Sequence, residues 1–146
     1  PSLVGSEMCI RDRDPGGGKR MKMVIGGACQ GKKRYAQRLY PGISWCDGAA
    51  CTEEELLSGQ GVYGFEKFIE RWLTENRDKE PKELAEKIIA QNPDLVVVTA
   101  EIGCGLVPVD AFERFYREAA GRICTELAAC ADRVDRVVCG IGTRIK

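Results

Sequence analysis

The sequence contains no histidine. This excludes Ser-His and Cys-His nucleophile pairs, imidazole metal ligands and a nucleotidylated imidazole carrier, so any chemistry falls to carboxylates, lysines, thiols and backbone amides. Neither charge is in excess, with 22 Lys and Arg against 22 Asp and Glu. Without a net positive field the chain has little with which to grip a phosphate backbone or an anionic membrane surface, and nucleic acid is not an expected partner. No apolar run approaches the ~20 residues a bilayer-crossing helix needs. The longest, Leu95 to Val98, is strand-sized, so no membrane span is predicted. The eight cysteines form no C-x-x-C pair, which removes support for a zinc ribbon or a thioredoxin-like site. With no signal-peptide pattern in the sequence, the thiols are expected to be reduced and the protein cytoplasmic.

What is present suits one soluble domain. Apolar residues make up 44% and charged residues 30% of 146 residues, an ordinary balance for a packed globular chain. Residues 1–20 lack helical or strand periodicity and end in Gly16-Gly17-Gly18. The stretch SLVGSEMCIRDR also resembles translated adapter sequence, so 1–20 is expected to be a disordered or artefactual extension. Residues 21–146 are expected to form a single α/β domain, because β-rich runs alternate with amphipathic helical stretches. Strands are predicted at Lys22 to Ile25, Ile43 to Cys46, Asp94 to Thr99 and Val134 to Ile141. Helices are predicted at Lys32 to Leu39, Phe65 to Arg77, Pro81 to Gln91 and Asp110 to Ala131. Between Cys51 and Gly64 no regular element is expected.

The segment MVIGGACQGKK joins the first strand to the first helix, and Gly26, Gly31 and Lys32 fit the G-x-x-x-x-G-K spacing of a phosphate-binding loop. Such a loop turns successive N–H groups of Gly26, Gly27, Ala28, Cys29, Gln30, Gly31, Lys32 and Lys33 toward phosphate oxygens, the helix N-terminus adds its dipole, and Lys32 reaches the outer phosphates. ATP or GTP is the expected ligand. Lys33 stands where a hydroxyl usually binds Mg²⁺. Either the ion rests on water and other oxygens, or Lys33 supplies charge in its stead.

Ligands of open parallel sheets sit beyond the carboxyl ends of the strands, which places Asp47 and Glu101 on the rim beside this loop. Either carboxylate is a candidate to hold Mg²⁺-bound water or to accept a proton from an acceptor hydroxyl; for Asp47 a turn-forming or capping role is the favoured reading. Cys29, Cys46, Cys51 and Cys104 map to the same rim, where a soft-metal or redox cluster competes with plain packing. Cys124, Cys130 and Cys139 read as packing residues. Trp72 belongs to a core or subunit-facing stripe, and Trp45 either packs or stacks on a ligand.

The later part of the chain carries longer patterns: the loop EIGCGLVP (Glu101 to Pro108), FYREAAGR (Phe115 to Arg122), LAACAD (Leu127 to Asp132) and the ending GIGTRIK (Gly140 to Lys146). Together with GGACQGK they resemble the bifunctional adenosylcobinamide kinase/adenosylcobinamide-phosphate guanylyltransferase family. The resemblance implies a RecA-like P-loop fold of three layers, ATP or GTP as donor, a corrinoid hydroxyl as acceptor, and a homo-oligomer, a trimer in better-known members. It strengthens the reading of Glu101 and leaves Arg122 as either a substrate or subunit contact or an exposed helix charge. The family's guanylyl-accepting histidine is absent, as is its D-C-L-T strand. Phosphoryl transfer, which needs mainly positioning and charge neutralisation, is the half that the residues still permit. A non-catalytic nucleotide-binding protein and a small-molecule kinase with another acceptor also remain open.

Overall fold

The β-branched run Val96–Ala100 (VVVTA, β4) and its neighbour Lys22–Gly26 (KMVIG, β1) pair in parallel, Lys22 opposite Val96 and Gly26 opposite Ala100. Such nearly continuous apolar strands are stable only when both faces are covered. Around this pair lies a six-stranded sheet in a computed structural model that describes residues 21–27, 31–101 and 110–146. The other strands are β2 (Trp45–Asp47), β3 (Gly61–Tyr63), β5 (Arg133–Val138) and β6 (Ile141–Arg144), and the spatial order is β2-β3-β4-β1-β5-β6. All neighbouring pairs are parallel except β5 and β6. This is the mainly parallel, helix-flanked α/β sheet that the sequence predicts. No helix among the described residues is long and apolar enough to cross a membrane.

The helices are α1 (Lys32–Leu39), α2 (Glu53–Ser58), α3 (Phe65–Glu75), α4 (Pro81–Gln91) and α5 (Ala111–Cys130). Alternation along the strands divides the core between two faces. Met23, Val62, Val97 and Val134 face the larger cluster, which includes Phe65, Ile69 and Leu73 of α3, Leu84 and Ile88 of α4, and Ile123 and Leu127 of α5. Val24, Val98 and Val137 point the other way and close over Ala36 of α1. Each fully buried large apolar side chain contributes about 1.5–3 kcal/mol, so the three-helix face carries most of the hydrophobic stabilisation. On the thinner face, a polar contact from Tyr35 adds to this smaller apolar cluster in holding α1.

Helix limits follow local chemistry. Pro81 opens α4, where its missing N–H costs nothing, and Asp110 caps α5 by accepting from Glu113 N at 2.7 Å. Three expectations are corrected. The stretch 51–64 is not irregular: Thr52 and Glu55 form a reciprocal capping box that starts α2, and β3 follows. Nor is the C-terminal strand single. The run 134–141 breaks at Cys139 (φ 51°) and Gly140 (φ 77°), a two-residue reversal with both φ positive, and β6 returns antiparallel with Val138 opposite Ile141. The predicted strand at Ile43 to Cys46 is shifted, since β2 begins at Trp45.

Candidate functional site

Because β1 to β4 run parallel, their carboxyl ends share one rim, and backbone contacts knit it together. Glu101 N donates to Gly26 O at 2.8 Å, joining the exits of β4 and β1. Gly48 N donates to Tyr63 O at 2.8 Å, joining those of β2 and β3. Between them, Glu66 Oε1 in the first turn of α3 accepts from Ala100 N at 3.0 Å, and its carbonyl accepts from Tyr116 Oη of α5 at 2.8 Å. Arg71 braces the corner by donating from Nη1 to Gly48 O (2.9 Å) and Cys51 O (3.0 Å).

The segment between β1 and α1 is bounded by Gly26 and Gly31. A Cβ on Gly26 would stand 2.5 Å from Val137 O, a backbone atom that cannot step aside, so β5 admits only glycine there. Gly31 has φ 82°, a left-handed conformation that L side chains rarely adopt, and it turns the chain into α1. Lys32 folds back so that Nζ donates to Gly27 O at 2.8 Å. Lys33 turns elsewhere: its Nζ lies 3.8 Å from the centroid of the Tyr63 ring at the end of β3. Ala28, Cys29 and Gln30 lie outside the described residues, as does Cys104 with its neighbours 102–109.

The two predicted rim acids are both present on the rim and differently engaged. Asp47 Oδ1 accepts from Ala49 N at 3.0 Å while its carbonyl accepts from Ala50 and Cys51 N, the Asx-turn use that its position suggested. Glu101 meets Arg136 of β5 at two points, Nε to Oε1 at 2.9 Å and Nη2 to Oε2 at 3.3 Å. Arg136 is half exposed, so the pair orients the carboxylate more than it stabilises the fold. Arg122 does not join them. It lines a cleft of about 290 Å³ with Arg77, Glu80, Phe115 and Glu118, between the start of α4 and the middle of α5.

The described cysteines lend little to a cluster. Burial raises the pKa of the Cys46 and Cys51 thiols, and Cys46 Sγ contacts Glu55 O at 3.7 Å. Burial also pushes Cys124 up to about 11. Cys139 overturns the packing expectation, being exposed at the hairpin turn. Trp72 is core, with Nε1 donating to Glu53 Oε1 at 3.0 Å, and Trp45 packs beside Gly61.

A group that the sequence reading passed over ties β5 to α1. Asp135 of β5 is fully buried and accepts from Tyr35 Oη (2.6 Å) of α1 and from Arg133 Nε (2.7 Å) and Nη2 (3.1 Å). Burial alone would raise its pKa, but the Arg133 and Tyr35 hydrogen bonds outweigh that and hold the carboxyl below its ordinary range. The Tyr35 ring occupies the space beside Gly142 of β6, where a Cβ would fall 2.1 Å from its Cζ. The only sequence signal was a carboxylate inside a strand-like run.

The family profile described as cobinamide kinase / cobinamide phosphate guanyltransferase matches residues 55–145. The chain belongs to that family. The match runs from α2 through β6 and so takes in Glu101, Arg122 and Asp135. The bifunctional adenosylcobalamin biosynthesis protein CobU of Salmonella typhimurium is 50% identical over 52 residues, 36% of this chain and 29% of that protein. Its counterpart from Escherichia coli is 48% identical over the same length. The matched segment thus spans under a third of either relative.

P-loop chemistry implies a divalent ion at this rim. Lys33 replaces the usual hydroxyl, one oxygen of Asp47 and one of Glu66 accept backbone N–H groups, and both oxygens of Glu101 face Arg136. Among the described residues no three Cys, Asp or Glu side chains are disposed to hold a metal. This donor set does not fit a tightly held Mg²⁺.

Proposed function

We propose that the chain is a nucleotide-dependent kinase of cobalamin biosynthesis, transferring the γ-phosphoryl group of ATP or GTP to the hydroxyl of adenosylcobinamide. The observation that carries this reading is the β1–α1 loop of a cobinamide kinase family member, bounded by Gly26 that β5 keeps bare, Gly31 in the left-handed region, and Lys32 folded over it. Residues Gly26 to Lys33 receive the phosphates, with the α1 N-terminus and Lys32 as electrostatic partners. The acceptor oxygen forms its bond to the γ-phosphorus as the bond to the β–γ bridging oxygen breaks, and the nucleoside diphosphate leaves. Glu101, joined to Gly26 through the backbone and oriented by Arg136, is the better placed of the two acids to take the hydroxyl proton; Asp47 serves its turn. Arg122, remote from the loop's contacts, fits a substrate-edge or subunit contact in a cytoplasmic homo-oligomer such as a trimer.

Guanylyl transfer through a histidine has no residue to carry it in this chain. The engaged carboxylates and the lysine in place of the hydroxyl favour one alternative, a nucleotide-binding protein without turnover. Mass spectrometry of adenosylcobinamide incubated with the chain and ATP or GTP separates the two. A product 80 Da heavier (roughly one phosphoryl group) that disappears in Lys32→Ala supports the kinase. Nucleotide-induced thermal stabilisation without product supports the alternative, and a guanylylated product contradicts the histidine argument.

A further inference from the structure

We infer that Arg136 changes partners when nucleotide arrives: its guanidinium leaves Glu101 for phosphate oxygens of the nucleoside triphosphate, and only then is the carboxylate released to accept a proton. This rests on the rim being a nucleotide site and adds to it a phosphate-binding cation supplied by β5. The sheet order puts β1 between β4 and β5. Strands lie about 4.8 Å apart, so a residue leaving β4 and a side chain of β5 start about 10 Å apart, with the end of β1 between them. Glu101 and Arg136 close that gap, Nε to Oε1 at 2.9 Å and Nη2 to Oε2 at 3.3 Å, so the ion pair crosses the exit of β1. Gly26, the first glycine of the motif, ends β1 at this crossing. Its carbonyl accepts from Glu101 N at 2.8 Å, and a Cβ on it would stand 2.5 Å from the carbonyl of Val137, the residue after Arg136.

Two cations therefore reach the exit of β1 from opposite faces of the sheet. Lys32 comes from α1 and donates to Gly27 O, whereas Arg136, two residues on from Val134, shares the face that carries α3, α4 and α5. The Glu101–Arg136 pair is suited to being exchanged. Its side chains are 21% and 53% exposed, and an ion pair so open to water is held weakly. Nη1 of Arg136 makes no hydrogen bond among the described residues, so a phosphate oxygen can be engaged before Glu101 is given up. The guanidinium fork fits two phosphate oxygens as well as it fits two carboxylate oxygens, and a triphosphate carries the greater negative charge. A carboxylate that receives N–H groups at both oxygens is poorly placed to take a hydroxyl proton. The exchange thus makes the proton acceptor available when the phosphoryl donor is in place.

The test is a double-mutant cycle in nucleotide affinity, read by titrating the full chain with fluorescent methylanthraniloyl-ATP and methylanthraniloyl-GTP in one buffer of fixed ionic strength. Arg136→Gln is expected to weaken binding about tenfold. Glu101→Gln removes the rival for the guanidinium and is expected to tighten binding about threefold, although it takes away the proton acceptor. In the Arg136→Gln background the same Glu101→Gln change should alter affinity by less than about 1.5-fold, because no guanidinium is left to compete for. Circular dichroism checks that each variant folds, and Glu101→Gln alone carries the test should Arg136→Gln not fold. Arg136→Gln that binds as wild type, or Glu101→Gln that fails to tighten binding, overturns the inference and leaves the nucleotide site standing. Equal tightening by Glu101→Gln with and without Arg136 reports plain charge repulsion and overturns it too. Failure of the wild-type chain to bind either nucleotide overturns the nucleotide reading and the inference with it.

Discussion

Replacing Asp135 with alanine tests whether polar contacts, more than apolar burial, fasten α1 to the sheet. The carboxylate is fully buried and accepts one hydrogen bond from Tyr35 and two from Arg133. Hydrogen bonds to a charged group contribute about 1.5–3 kcal/mol each when a partner is stranded. Arg133 retains 29% side-chain exposure, so water recovers part of what it loses. The net cost is therefore placed at about 2–4 kcal/mol, below the sum of three such bonds. With a urea slope of about 1.5 kcal/mol/M the unfolding midpoint should fall by roughly 1.3–2.7 M. Tyr35→Phe alone should cost about 1–2 kcal/mol, and should cost under about 0.5 kcal/mol more once Asp135 is gone, because both act through one group. The pH dependence has a definite sign. The carboxyl's folded pKa is depressed, so its contribution is complete above the unfolded value of about 3.9 and is lost as pH falls through the folded value. The gap between wild type and Asp135→Asn should accordingly narrow below pH about 4. A loss under about 0.5 kcal/mol for Asp135→Ala, or fully additive losses in the cycle, refutes the account.

Three other outcomes are expected. Gly26→Ala forces a Cβ against Val137 O and should cost about 1–3 kcal/mol while weakening ATP binding, as thermal unfolding and titration would show. Cys139→Asn should stabilise the hairpin by about 0.5–1 kcal/mol, since asparagine tolerates the positive φ that cysteine holds under strain; unchanged urea unfolding would count against that reading of the turn. In peptide-resolved alkylation of the native chain, exposed Cys139 should be labelled before Cys51 and Cys124, whose thiols are buried or raised in pKa, and equal rates would contradict the burial described here.

The long helices were legible because their apolar residues repeat at helical spacing. Phe65, Phe68, Ile69, Trp72 and Leu73 are all buried on one side of α3, and α1 and α4 begin and end where the periodicity and Pro81 place them. Two short elements were not. The strand β3 has three residues, Gly61–Tyr63, too few to show alternation, and α2 is six residues long, although Thr52 followed by Glu55 was a readable start signal. The hairpin turn was hidden because Cys139-Gly140 lacks the asparagine or aspartate that usually precedes glycine in such reversals. At the rim, the strand-loop-helix order located Lys32, Asp47 and Glu101, since parallel strands must end on one side. What engages them was not legible: Arg136 faces Glu101 and Tyr35 meets Asp135 across 35 and 100 positions of chain, distances that local patterns do not reach.

The central place of β1 gives the molecule an order of assembly. One of its neighbours, β4, and the other, β5, are both made long after it, and the Tyr35 anchor needs β5 and the Gly142 gap of β6. As the chain emerges from the ribosome, β1 and α1 are therefore made before the strands and the polar anchor that secure them. A nascent chain arrested before Arg133 would hold β1 by one edge and leave α1 without its polar tether. Synthesis of the β5–β6 hairpin would then complete the anchorage of α1.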